Sequence, residues 1–280
     1  MSYIKKKRKV SVAMAIYNCA PTLREALDSI LAQTYTDWEL ILCDDGSTDE
    51  TSAIATEYSM KYDNILLLEN VHNQGLPATL NTCIKYAQGD YIARMDGDDI
   101  SLPDRFEKEV KFLDEHPEYA LVSCAMINFD ENGDWGVQRK PERPTVMDFV
   151  NDSPFCHAPC MMRKAALADV GNYTVRKELR RGQDYFLWHK FYAKGYKGYN
   201  FQEPYYKMRD DKDAALRRGF NVGYMQRINK ALDSSKIKRE IYRDLKIPYR
   251  YWIYSLRPVL IAMLPYRLYA WLHKRNINHG

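Results

Sequence analysis

Two hydrophobic periods take turns along residues 10–124. Val10–Tyr17, Trp38–Cys43, Asn64–Leu68, Gly89–Met95 and Tyr119–Cys124 are short apolar runs, several ending at Gly, Asn or Asp, and each predicts a strand. Between them, Pro21–Gln33, a segment from Thr48 to Met60, Gly75–Ala87 and Pro103–Glu115 read as helices. Pro21 and Pro103 suit a first helical turn, and Thr48 is expected to cap the second helix. Regular alternation of strand and helix predicts an α/β fold with a mostly parallel central sheet covered by helices on both faces. Farther on, Asn128–Trp135 predicts a hairpin around Asn132-Gly133, and Gly182–Lys194 predicts a helix that starts with Gln183-Asp184. Beyond Arg209 the pattern is helical to the end, without an internal repeat.

Ligands of such sheets sit beyond the carboxyl ends of the strands. Asn18, Asp44-Asp45 and Asp96 all follow predicted strands, so three polar clusters are expected on one rim. The third is the run Tyr91–Asp99, YIARMDGDD, in which Asp96, Asp98 and Asp99 surround one glycine. Carboxylates this close repel one another unless a cation lies between them, and oxygen-only donors suit Mg²⁺ or Mn²⁺. A solvated acidic turn is the competing reading, and convergence with the other two clusters disfavours it. Asp99 is assigned to the turn before Pro103. No GxGxxG follows a strand and no GK[ST] occurs, which disfavours a dinucleotide dehydrogenase and a P-loop NTPase.

The chain has 280 residues, enough for a substantial core. Its six cysteines are dispersed and lack a CxxC pair, as expected of reduced thiols in a cytoplasm-like compartment. Cys156, His157 and Cys160 lack the second Cys/His pair that a structural zinc site needs. The basic run Lys5–Lys9 precedes a short, strand-like segment, so no signal peptide is read and the cytosol is expected. Charge divides the molecule: residues 212–280 hold 15 Lys/Arg against 4 Asp/Glu, a net of +11, which leaves −7 on residues 1–211. These become the expected units, a catalytic domain over 1–211 and a helical extension over 212–280. From Ile247 to Arg275 aromatic and basic residues interleave, and the longest uncharged run, Pro258–Tyr266, is far below the ~20 residues of a spanning helix. That composition fits either an interfacial segment on an anionic membrane or a helical pair packed on the body. Nucleic acid is not an expected partner, because no recognition module accompanies the charge.

Five motifs in order carry a family resemblance: VSVAMAIYN (Val10–Asn18), SILAQTYTDWELILCDDGSTDET (Ser29–Thr51), NQGL (Asn73–Leu76), RMDGDDISLPDRF (Arg94–Phe106) and GQDYFLW (Gly182–Trp188). Over about the first 200 residues the chain resembles the family 2 glycosyltransferases, inverting enzymes with the Rossmann-like GT-A fold. The resemblance implies that Ala15, Ile16 and Tyr17 pack on the nucleotide base and that Asp44 accepts from a uracil ring. Asn18, Asp45, Asn73, Gly75 and Arg94 are implied at the donor site. Asp96 and Asp98 match the DxD motif, with Asp96 shared between ribose and metal and Asp98 a metal ligand. Asp184 matches the catalytic base, with Gln183 where the family usually has Glu. His157 and Arg163 match a His-Pro-x-x-x-x-Arg pattern with the proline displaced to Pro159. They are carried as a further metal ligand and a donor-side cation, and Arg209 as a second candidate cation. No Trp follows Arg180-Arg181, so the processive-synthase motif is absent.

The implied cofactor is Mn²⁺ or Mg²⁺, and the implied donor is a nucleotide sugar with UDP as its nucleotide. The implied acceptor is a saccharide, lipid-linked if the extension rests on a membrane at its cytosolic face. A homodimer is left open. Two readings compete: a catalytically inactive nucleotide-sugar-binding relative, disfavoured by Asp184, and a basic tethering module, which would not call for the acidic cluster.

Overall fold

A computed structural model describes residues 8–179, 182–210 and 224–264. Strands β1 (Val10–Ile16), β2 (Trp38–Asp44), β3 (Ile65–Glu69) and β4 (Tyr91–Asp96) lie parallel in the order β3-β2-β1-β4. Helices α1 (Ala20–Leu31), α2 (Thr51–Lys61) and α3 (Leu76–Tyr86) connect them. After β4 come a two-residue strand β5 (Ile100–Ser101), helix α4 (Arg105–Glu115), the long β6 (Tyr119–Asp130) and β7 (Gly133–Gln138). Strand β8 (Met161–Arg163) lies antiparallel between β4 and β6 and runs into the short helix α5 (Lys164–Asp169), and β9 (Lys197–Arg209) pairs with β6 and β5, completing one nine-stranded sheet.

Two-sided burial explains why the inner strands read as nearly continuous apolar runs. Val10, Val12, Met14, Leu40, Leu42, Ala93 and Met95 face one layer, against Leu23, Leu27 and Ile30 of α1, Tyr58 of α2 and Phe106 and Leu113 of α4. The alternate residues Ala13, Ile41, Cys43 and Ile92 face the other, against Leu80, Cys83 and Ile84 of α3 and Leu187, Trp188 and Phe191 of α6 (Gln183–Ala193). Each fully buried aliphatic side chain contributes roughly 1.5–3 kcal/mol, so the two layers hold the sheet rigid beneath the loops at its rim.

The predicted strands and helices of residues 10–124 all form, with shifts at their ends. Thr48 does not cap α2, which begins at Thr51: the Thr51 N–H goes to Asp49 Oδ1 at 3.0 Å, and Thr48 donates its own N–H to Asn18 Oδ1 at 2.8 Å. Strands β8 and β9 were not predicted. The burial of β9 follows no strict period of two, and Pro204 falls where its register with β6 shifts, so the sequence lacks the alternation that marks an ordinary strand. The hairpin forms as β6–β7, with Gly133 at φ +113°.

The described part of the extension packs on the body. Helix α7 (Tyr224–Asp244) places Ile237, Ile241 and Tyr242 in the same apolar cluster as Phe149, Phe186 and Trp188, and Leu245 and Ile247 follow them in. Tyr242 Oη donates to the Val150 carbonyl at 2.8 Å, His189 Nε2 lies 3.1 Å from Asp244 Oδ2, and Arg176 pairs with Glu240 at 3.0 Å. A 3-10 segment (Tyr249–Leu256) and the short helix α8 (Arg257–Ala262) follow. The boundary expected at 211/212 and the aromatic-basic residues beyond 264 lie outside the described residues. Among the described residues no helix is long and apolar enough to cross a membrane.

If α7 is part of the catalytic core, Ile241→Ala lowers the stability of the whole chain by about 2–5 kcal/mol in one cooperative urea transition. A body transition left unchanged, with only a separate minor transition moving, would show that the extension folds apart from it.

Candidate active site

The parallel register sets Asp44 opposite Ile16 and Asp96 opposite Ala15. Three strand ends therefore finish level on one rim. Beyond β1, Asn18 adopts φ +46°, donates its N–H to Ser47 Oγ at 3.0 Å and accepts from Thr48 N, tying the first rim loop to the second. Tyr17 beside it is 47% exposed, an open aromatic face at the rim. Asp44 is buried, and its Oδ1 accepts from Ser47 N at 3.0 Å and from Ser47 Oγ at 2.5 Å.

Asp45 is also buried and holds the NQGL loop. One oxygen accepts from Asn70 Nδ2 at 2.8 Å and Gln74 N at 2.9 Å, and the other accepts from Gly75 N at 2.9 Å. Gly75 has φ +88°, a conformation other residues avoid, so the loop turns into α3 at this point. Asn73 lies in the same loop, exposed. Asp45 is thus a scaffold for Asn73 and Gly75.

The DGDD turn is clamped from three sides. A Cβ on Gly97 would stand 2.7 Å from Cys19 Sγ and 3.1 Å from Ile16 Cγ2, so only glycine lets the turn lie on the β1 loop. The buried Arg94 donates to Asp96, while Asp96 N donates to Tyr206 Oη at 3.2 Å. Arg209 of β9 donates its N–H to Asp99 Oδ1 at 2.8 Å and its Nε to the Asp98 carbonyl at 2.9 Å, and it pairs with Glu25 of α1. Asp99 therefore does more than turn the chain before Pro103: it is buried and anchors β9 to the acidic cluster. Oxygens of Asp96, Asp98 and Asp99 all lie within 4.8 Å of one another. Burial, then the charges of Asp98 and Asp96, push the Asp99 carboxyl well above the usual range. Hard oxygen donors gathered this closely fit a divalent cation of the Mg²⁺ or Mn²⁺ kind.

Across the rim, α6 begins after Gly182 and carries Asp184 in its first turn. Burial raises the Asp184 carboxyl above the usual range and the charge of Asp152 raises it further, against the Tyr185 N–H and Arg94, which lower it. Tyr173 connects the two halves. Burial raises its hydroxyl pKa, Arg94 opposes that, and Asp184 and Asp96 add to it, so its oxygen lies in the field of all three. His157 Nε2 is 2.7 Å from Tyr173 Oη, and burial, with Arg94, holds the imidazole well below its ordinary pKa and hence neutral.

Two of the carried-over residues are placed elsewhere. Among the described residues the metal-capable cluster comprises Asp96, Asp98 and Asp99, and the His157 ring is engaged by Tyr173 instead. Arg163 pairs with Tyr91 at the opposite end of β4 from Asp96, and its guanidinium donates to the carbonyls of Tyr119 at 2.8 Å and Leu113 at 2.5 Å. Arg163 closes the far end of the sheet and does not reach the rim. Arg209 does reach it, as a clamp on the DGDD backbone.

The site also contains residues that no motif signalled. Tyr206 lies on the unpredicted β9, and Tyr173 stands in a loop without periodicity. Lys140 Nζ pairs with Asp152 Oδ2 at 2.9 Å, and both carry charge near Asp184.

Comparison with known proteins agrees with this geometry. The model of glycosyl transferase family 2 matches residues 11–171. The putative glycosyltransferase EpsE of Bacillus subtilis is 43% identical over 96% of this chain and 94% of its own length. An Escherichia coli UDP-Gal:α-D-GlcNAc-diphosphoundecaprenol β-1,3-galactosyltransferase is 31% identical over 96% of each. Among solved structures, S. aureus TarS 1-349 with UDP-GlcNAc superposes with a TM-score of 0.65 at 20% identity, covering 93% of this chain and 82% of that one. The mannosyltransferase PcManGT of Pyrobaculum calidifontis, with GDP-Man and Mn²⁺, gives 0.61 at 20% identity, covering 97% and 80%. The sheet, its rim and these matches together place the chain in glycosyltransferase family 2, with the GT-A fold.

Proposed function

We propose that the protein is a metal-dependent inverting transferase that moves a sugar from a UDP-sugar to a hydroxyl of a lipid-linked saccharide. The observation that carries this reading is the facing pair of acidic sites, Asp96/Asp98/Asp99 on one side of Arg94 and Tyr173 and Asp184 on the other. The rim supports the donor half: Tyr17, exposed just beyond the strand end that buries Ile16 and half-buries Ala15, offers the base an aromatic face, Asp44 lies beside it to accept from the ring, and Asn73 and Gly75 border it on the loop held by Asp45.

In the transfer itself, Asp184 takes the proton of the acceptor hydroxyl as that oxygen bonds to the anomeric carbon. The bond from that carbon to the diphosphate oxygen breaks on the opposite face, and the configuration inverts. A carboxyl already raised above the usual range is a stronger base than an ordinary aspartate, and the first turn of α6 fixes its direction. Arg94 holds Asp96 in place for the ribose and diphosphate. Asp98 and Asp96 would hold the divalent cation, which when bound supplies Lewis-acid neutralisation of the leaving diphosphate. UDP and the lipid-linked acceptor are supported by the E. coli relative, whose name specifies both, and the basic extension suits an acceptor presented at the cytosolic face of a membrane.

Asp184→Asn is expected to lower transfer by roughly 10²–10⁴-fold while leaving UDP affinity within about twofold, as befits loss of a general base alone. Near-wild-type turnover would refute the assignment. Because the base must be deprotonated, kcat/KM falls on acidification, with its inflexion above the range of an ordinary aspartate. Asp152→Asn removes a negative neighbour, so the inflexion should move to lower pH, and an unmoved profile would show that Asp152 exerts no field on the base. A panel of nucleotide sugars screened by thermal shift with Mn²⁺ should select uridine donors, and selection of guanosine donors would overturn the UDP reading.

A further inference from the structure

The extension builds a hollow between charged and aromatic side chains that transfer chemistry does not use. Lys236, Arg239, Glu240 and Arg243 of α7 and Trp252 of the 3-10 segment line a cavity of about 310 Å³. Its single acid is already matched, because Arg176 of the body grips Glu240 with contacts of 3.0 to 3.2 Å. Arg239 directs Nε to Ser255 Oγ at 3.2 Å and Arg243 directs Nε to Asp244 at 3.2 Å, so each guanidinium is oriented through one nitrogen. Trp252 donates its indole N–H to the Ile247 carbonyl at 3.0 Å, which leaves the ring as an apolar wall. Lys236 Nζ lies 3.7 Å from Asp233, an exposed pair at the edge, so the lining itself carries three cations against one acid, with an aromatic side.

Its surroundings are apolar and open. Tyr249 packs on Trp252 with ring centroids 5.0 Å apart and is 83% exposed. Ile253, Leu260 and Met263 are each more than half exposed. In a 3-10 helix residues three apart share a row, so Arg250 and Ile253 stand together beside the Tyr249–Trp252 row. Large apolar side chains among Arg250, Arg257 and the cations of α7 have the composition of an interfacial surface rather than of a protein-protein core.

We infer that this hollow binds the phosphate of an anionic phospholipid headgroup, with Tyr249, Ile253, Leu260 and Met263 entering the membrane interface around it. The inference deepens the membrane-facing reading of the extension and rests on it. A headgroup phosphate accepts from Lys236, Arg239 and Arg243 while the adjoining acyl region meets the exposed apolar side chains. A soluble phosphate would leave those side chains in water. Because α7 also packs on α6, the docked face holds the start of α6, and with it Asp184, in a constant relation to the bilayer.

The test is co-sedimentation of the full chain with phosphatidylcholine vesicles, with and without phosphatidylglycerol. Wild type should sediment with the anionic vesicles and be released as salt is raised from about 0.1 M to about 1 M, where the screening length falls from ~10 to ~3 Å. Arg239→Ala with Arg243→Ala should weaken partitioning about 30-fold, each cation contributing roughly fivefold at an anionic surface. Ile253→Ser with Leu260→Ser, at exposed positions, should weaken binding with an unchanged melting temperature, and it keeps the test valid if the arginine pair unfolds the chain. Equal sedimentation with neutral vesicles would overturn the headgroup site alone, and absence from both vesicles would overturn membrane docking as well. A melting temperature raised by inorganic phosphate in wild type but not in the arginine variant, without sedimentation, would assign the hollow to soluble phosphate. None of these outcomes depends on the transfer reaction, which Asp184→Asn reads separately.

Discussion

Three carboxylates whose oxygens lie within 4.8 Å of one another repel strongly, and the structure around them is arranged to hold them together. Arg94 reaches Asp96 from within β4, Tyr206 takes the Asp96 N–H, and Arg209 brings the end of β9 onto Asp98 and Asp99. Gly97 lets the turn sit directly on the β1 loop. Arg94 and Gly97 are local to the turn, whereas Tyr206 and Arg209 reach it from the distant β9, and each fixes the turn only because the sheet beneath is rigid. Three oxygen donors held this close together are what a diphosphate-bound cation would use.

The same sheet sets the relation between the two halves of the site. Parallel register brings Ile16, Asp44 and Asp96 level, while antiparallel β8 runs back from the rim toward the far end of β4. Arg94 acts electrostatically on Tyr173 and on Asp184, and Tyr173 lies in the field of both Asp96 and Asp184, so the acidic turn and the start of α6 are linked through protein. The extension completes this arrangement from behind: Ile237, Ile241 and Tyr242 fill the apolar layer against α6. Residues that looked like an appendage by charge are core by packing.

Much of this was legible before any coordinates. Strands buried on both faces write long apolar runs, and their alternation with helices identifies the rim and hence Asn18, Asp44 and Asp96. The second half was less legible for physical reasons. Strand β9 is only partly buried and interrupted at Pro204, so it carries no clean period, and Tyr206 and Arg209 could not be placed by pattern. Arg163 matches a motif by spacing, yet the antiparallel direction of β8 sends it to the wrong end of the sheet. For His157, expected as a ligand, spacing does not reveal that Tyr173, sixteen residues on, meets its ring. Composition alone did not choose between the two readings of the tail: one side of α7 packs on the body, while aromatic and aliphatic side chains of the following segment remain exposed.

The central claim is that the Asp96-Asp98-Asp99 turn holds a divalent cation that in turn holds a nucleoside diphosphate. Calorimetric titration of UDP into wild type and Asp98→Ala, each with Mn²⁺ and with EDTA, tests it most directly. Wild-type affinity should be at least about tenfold higher with Mn²⁺, a coupling of about 1.4 kcal/mol, and the variant should bind with the same weak affinity in both conditions. Wild-type affinity that is indifferent to the metal, or a variant that loses affinity equally in EDTA, would contradict it.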